Sequence, residues 1–107
     1  MRLTNNIATI TSPQMREAIH NLNERKAISG AIRNAMLAYA HKAEKLTVPL
    51  EFKPPADYTD RVFISAIIAP NLRDEYESLA RRYRIPMSEL VLRCLCAYVS
   101  RQRGPIA

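Results

Sequence analysis

One helical pattern occurs twice in this chain, 59 residues apart, and it constrains the fold more than any other feature. Ser29, Ala31, Ile32, Ala35, Met36, Ala38 and Tyr39 form the first copy; Ser88, Leu90, Val91, Cys94, Leu95, Ala97 and Tyr98 form the second. Each copy follows another helix-spaced stretch and, before that, a β-rich run. A chain of 107 residues supports one modest core but not two independent ones. The two halves must therefore share theirs.

The second half is the clearer. Val62 to Ile68 is a β-rich run that stops at Ala69-Pro70, where proline suits a first helical turn. Leu72, Tyr76, Leu79, Ala80 and Tyr83 then recur at helical spacing between charged residues, which predicts an amphipathic helix of about 14 residues. Arg84-Ile85-Pro86-Met87 breaks it, because the residue before proline avoids the helical region. Ser88 is expected to cap the last helix, whose stripe is Leu90, Val91, Cys94, Leu95, Tyr98 and Val99. The first half repeats this order: a strand over residues 7–11, a helix opened by Ser12-Pro13 with Met15, Ala18, Ile19 and Leu22 inward, a break over 23–28, and a helix capped by Ser29. Pro13 and Pro70 are 57 apart, so the first inter-helix turn is shorter by two. The expected architecture is mainly α with a two-stranded antiparallel ribbon: one domain over residues 1–107, with repeats 4–43 and 61–102 about a pseudo-two-fold axis. Residues 44–60 contain Pro49, Pro54 and Pro55 without a helical or strand period and read as a linker.

Sixteen Lys and Arg against ten Asp and Glu give a formal charge of +6. Residues 1–60 contribute +2 (8 against 6) and residues 61–107 contribute +4 (8 against 4). Basicity spread over both halves favours an anionic partner, nucleic acid before a membrane surface. No stretch approaches the roughly 20 apolar residues of a membrane span, and the N-terminus lacks a secretion signal, so a soluble cytoplasmic protein is expected. Cys94 and Cys96, two apart on a helix, diverge and read as reduced thiols, Cys94 packing inward. His20 and His41 lack companion ligands or a nucleophile set, and only Gly30 and Gly104 are glycines, so no phosphate-cradling loop exists. No enzymatic activity, cofactor or metal is expected.

Strand, Pro70, Leu72, Leu79-Ala80, a break, Ser88-Glu89-Leu90-Val91 and a final apolar stripe resemble the ribbon-helix-helix DNA-binding family. Two copies joined by a proline-containing linker are similar to its tandem single-chain members, some of them accessory proteins of conjugative plasmid transfer origins. The resemblance implies duplex DNA binding, as a relaxosome-type accessory factor or a plasmid or phage transcription regulator, with other DNA-processing proteins or further copies as partners on DNA. It implies a ribbon in the major groove and second-helix N-termini on phosphates. The implied phosphate residues are Ser29, Gly30, Ser88 and Glu89, with the N–H groups of Ala31 and Leu90, reinforced by Arg25, Lys26 and Arg84.

Counting back from Leu72 places Phe63, Ser65 and Ile67 on the outward face of the second strand. Matching Ala8 and Ile10 to Ala66 and Ile68 places Asn5, Ile7 and Thr9 outward in the first. The family puts polar or basic side chains outward, and no Arg or Gln stands at these positions. Backbone and shape are therefore expected to dominate any DNA binding. The same lack of readers supports a second reading, a protein-interaction module that uses Phe63 and Ile67 for a protein partner or for self-association.

Overall fold

The computed structural model describes residues 6–22 and 28–102, the side chain of Gln102 excepted. The elements are β1 (Asn6–Thr11), α1 (Pro13–His20), α2 (Ile28–Tyr39), β2 (Val62–Ile67), α3 (Pro70–Tyr83) and α4 (Met87–Gln102). The strands form one two-stranded antiparallel sheet, with Ile7 opposite Ala66, Ala8 opposite Ser65 and Thr9 opposite Ile64. The helices cover one face of this ribbon. α2 packs on α4 and against β2, while α4 packs against β1. Each long inner helix thus lies on the strand of the other half, and the buried side chains form one cluster drawn from both halves.

The α3 boundaries follow the sequence expectation at both ends. Pro70 occupies the first turn, and Arg84 ends the helix in the left-handed region, at φ 57°. The Ile85 N–H donates to the Ala80 carbonyl at 3.1 Å and the Arg84 N–H to that of Arg81 at 3.4 Å, the paired bonds of a Schellman stop. Tyr76, fully buried, donates its hydroxyl to the Met36 carbonyl at 2.7 Å and so ties α3 to α2.

Three expectations are corrected. In β1, Ile7, Thr9 and Thr11 are buried and Asn6 and Ala8 are exposed, so Ile7 and Thr9 face the core and not outward. The threonines tolerate burial because each hydroxyl has an acceptor: Thr9 donates to the Ser88 carbonyl at 2.6 Å, Thr11 to that of Phe52 at 2.7 Å. Ser29 and Ser88 are not caps. Each lies inside its helix, Ser29 after the helical Ile28 and Ser88 after the helical Met87, and the Pro86 carbonyl accepts the first α4 bond, from Leu90 at 3.0 Å. Leu90 therefore has no spare N–H, contrary to the expected phosphate role. Ser12 holds the N-cap position of α1 without a side-chain cap, its hydroxyl donating instead to the Glu51 carbonyl. The linker, residues 44–60, also has structure of its own. Short 3-10 turns at Ala40–Lys45, Leu50–Phe52 and Tyr58–Asp60 carry Phe52 into the core at 1% exposure.

Cys94 and Cys96 are both buried free thiols. Burial pushes Cys94 up to about 11 and Cys96, with the Glu51 and Cys94 charges adding to burial, up to about 12, from an ordinary value near 9. Burial likewise raises the Tyr76 phenol. Since the folded state holds these protons more tightly than the unfolded chain, their contribution to stability is complete below about pH 9 and is lost as pH rises through about 11 to 12. Urea midpoints should therefore be level from neutral pH to about pH 9 and fall above it. Both thiols should resist a thiol reagent at about pH 8 until urea unfolds the chain. Rapid labelling of the folded protein would contradict this burial.

Candidate functional site

The uncovered face of the ribbon is the feature the fold leaves unexplained by packing. Its three cross-strand rows are Asn6 with Ile67, Ala8 with Ser65, and Ile10 with Phe63. Phe63 and Ile67 are 67% and 55% exposed, Asn6, Ala8 and Ser65 are exposed, and Ile10 is half-buried. Alternation along each strand makes this arrangement obligatory once Ile7, Thr9, Ile64 and Ala66 are inward.

Cations stand at both ends of the face. At the Asn6–Ile67 end, Arg73 of α3 donates to the Asn6 carbonyl at 2.6 Å and Arg33 of α2 to the Ile67 carbonyl at 3.2 Å. Arg73 also lies 3.9 Å from Glu77, a half-exposed pair of little energetic weight. At the Ile10–Phe63 end, Lys53 and Arg61 line a cleft of about 480 Å³ together with Thr9, Ile10, Ser88 and Glu89. Arg61 is held from two sides: its Nε donates to the Pro55 carbonyl at 2.8 Å, and its guanidinium lies 4.1 Å from the centre of the Tyr58 ring.

The start of α4 opens on this cleft. With Pro86 as the first acceptor, the N–H groups of Met87, Ser88 and Glu89 lack intrahelical partners and carry the positive end of the helix dipole. Glu89 supplies no free negative charge, because its carboxylate accepts from Arg93 at 2.7 Å, and Arg93 also donates to the Glu44 carbonyl at 3.2 Å.

The expected site residues divide accordingly. Phe63, Ser65 and Ile67 face outward as the sequence predicts. Ser88 and Glu89 meet Ile10 in the cleft, and Ser29 and Gly30 lie in the first turn of α2. Arg84 lines a separate groove with Arg81, Ile85 and Met87 and does not join the cleft. Asn5, Arg25 and Lys26 lie outside the described residues. The sequence reading missed Asn6, Ala8 and Ile10, displaced by the register error, and three of the bracketing cations, Arg33, Lys53 and Arg61; Arg73 it places only on a solvated basic face. Only the two prolines carried a usable signal: their offset of 57, applied to the strand, makes Ala8 the counterpart of the outward Ser65 and Ile7 that of the inward Ile64.

Among the described residues, no cluster of three or more His, Cys, Asp or Glu could hold a metal ion, and no helix is long and apolar enough to cross a membrane. Compared with known proteins, the chain matches no family model, and no curated protein or solved structure matches it at a significant level.

Proposed function

We propose that this chain is a non-enzymatic duplex DNA-binding protein, a tandem ribbon-helix-helix unit whose ribbon enters the major groove. The observation that carries the reading is the ribbon itself: two antiparallel strands uncovered on one face, with Arg33 and Arg73 at one end and Lys53 and Arg61 at the other. A two-stranded ribbon fits the major groove, and cations at both ends suit the phosphate walls on either side. The free N–H groups at the start of α4 add an anion-favouring field beside Lys53 and Arg61.

The strand register supports a duplication. In a two-fold arrangement the residue on the axis pairs with its own counterpart, and Ala8 pairs with Ser65, an offset of 57 that also relates Pro13 to Pro70. The packing of α2 on β2 and of α4 on β1 is the exchange such an axis produces. A place in plasmid transfer or in phage or plasmid regulation, in the cytoplasm, comes into the proposal from the family resemblance alone.

Binding to a random duplex, followed by fluorescence anisotropy, should weaken about a hundredfold between about 50 and 200 mM salt if four phosphates are contacted. Lys53→Ala and Arg61→Ala should each reduce the salt slope by about one. Failure to bind any duplex at low salt would sink the proposal. The exposed Phe63 and Ile67 favour the second reading, a protein-docking ribbon, and self-association in a sizing experiment without DNA binding would select it.

A further inference from the structure

We infer, resting on the DNA-binding reading and extending it, that the selected duplex is non-palindromic. Adjacent thymines lie under the Ile10–Phe63 end, contacted through their methyl groups, and an adenine lies under Asn6 at the other end.

The two ends of the outward face carry different chemistry. Among the described residues Asn6 is the one amide on it, beside the apolar Ile67, and an amide both donates and accepts, the pattern that matches adenine in the major groove. Ile10 and Phe63 share the opposite row and offer no hydrogen bond. The feature of a base edge that complements them is the thymine methyl. Phe63, at 67% exposure, has most of its ring in water and gains by covering it. The central row, Ala8 with Ser65, is small enough to let both backbones approach the base edges.

This face departs from the polar or basic outward strands that the family resemblance implies, so the recognition is inferred from this chain's own residues. Exchanging the strands would put Phe63 where Asn6 stands. A palindrome presents the same edge at both ends and can satisfy only one of them, whereas a non-palindromic duplex satisfies both. The bracketing charges weigh against a second copy as the preferred occupant. Apposing two such faces would set Arg33, Lys53, Arg61 and Arg73 of one against those of the other, while a polyanion neutralises all four.

Selection from a randomised duplex library should enrich a non-palindromic motif with adjacent thymines on one side and an adenine on the other. Replacing those thymines by uracil removes only the C5 methyl. Affinity should then fall about fourfold per methyl for the natural protein, and by no more than about twofold for Phe63→Ala. Asn6→Ala should erase the preference at the adenine and leave the uracil effect intact. Circular dichroism confirms that each variant is folded. A palindromic motif, a bound duplex insensitive to uracil, or a Phe63→Ala protein that retains the full uracil effect overturns the inference. Equal binding to all duplexes also overturns it but leaves the DNA-binding reading standing, and binding to none removes both.

Discussion

Ile7→Asp should unfold the protein, whereas Ala8→Asp, one residue along, should leave it folded and weaken the proposed DNA binding. Ile7 is 3% exposed and packs in the shared core, opposite Ala66. A carboxylate there has no partner, and an unpaired buried charge costs at least about 4 kcal/mol, most of the stability of an ordinary small domain. Ala8 lies on the outward face opposite Ser65, so an aspartate stays in water and costs under about 1 kcal/mol, mainly through strand preference. It also puts a negative charge at the centre of the proposed DNA contact, where it should weaken binding by tenfold or more. Urea unfolding and anisotropy titrations on both variants check the pair. A destabilised Ala8→Asp beside a stable Ile7→Asp would mean that the strand is turned the other way, as the sequence alone suggested.

That error has a physical origin. Alternation identifies a buried face only when polarity follows burial, and in β1 it does not. Ile7 and Ile10 have opposite parity, and the buried positions 9 and 11 are threonines whose hydroxyls find the Ser88 and Phe52 carbonyls far along the chain. Such partners leave no mark at short range. In β2 the apolar residues occupy both faces, but counting from Leu72 resolved the parity, and the exposures of Phe63 and Ile67 agree with it. The helices were the most legible elements, because α3 and α4 combine a clear helical period with the prolines that bound them. The starts of α2 and α4 were less legible, because a serine two residues before an apolar stripe is equally compatible with a place inside the helix, where Ser29 and Ser88 in fact lie. The cations were visible only as charge. That Arg61 stands beside the start of α4 depends on the path of residues 44–60, which no local pattern encodes.

Phe52 is what fixes that path, and Phe52→Ala should cost about 3 to 5 kcal/mol. The ring is 1% exposed inside the core cluster, although proline content on either side marks its segment as a connector. Deleting it removes the transfer free energy of the ring and leaves a cavity in the shared core that backbone pinned by Pro49 and Pro54 can fill only in part. Around it, the Phe52 and Glu51 carbonyls accept from Thr11 and Ser12, so the segment is held by two hydroxyls as well as by one ring. Phe52→Leu, which keeps most of the volume, should recover much of the loss, and urea midpoints for the two variants separate cavity from backbone effects. The functional consequence should be directional. Lys53 adjoins Phe52, and Arg61 is braced by Pro55 and Tyr58 on the same stretch. A segment that loses its anchor therefore releases the cations of the Ile10–Phe63 end and leaves Arg33 and Arg73, which are bonded to strand carbonyls, in place. Under conditions where Phe52→Ala remains folded, its salt slope for DNA should drop by about two, as for removal of Lys53 and Arg61 together. A cost below about 1 kcal/mol would instead mean that packing of Phe52 does not hold residues 44–60 in place.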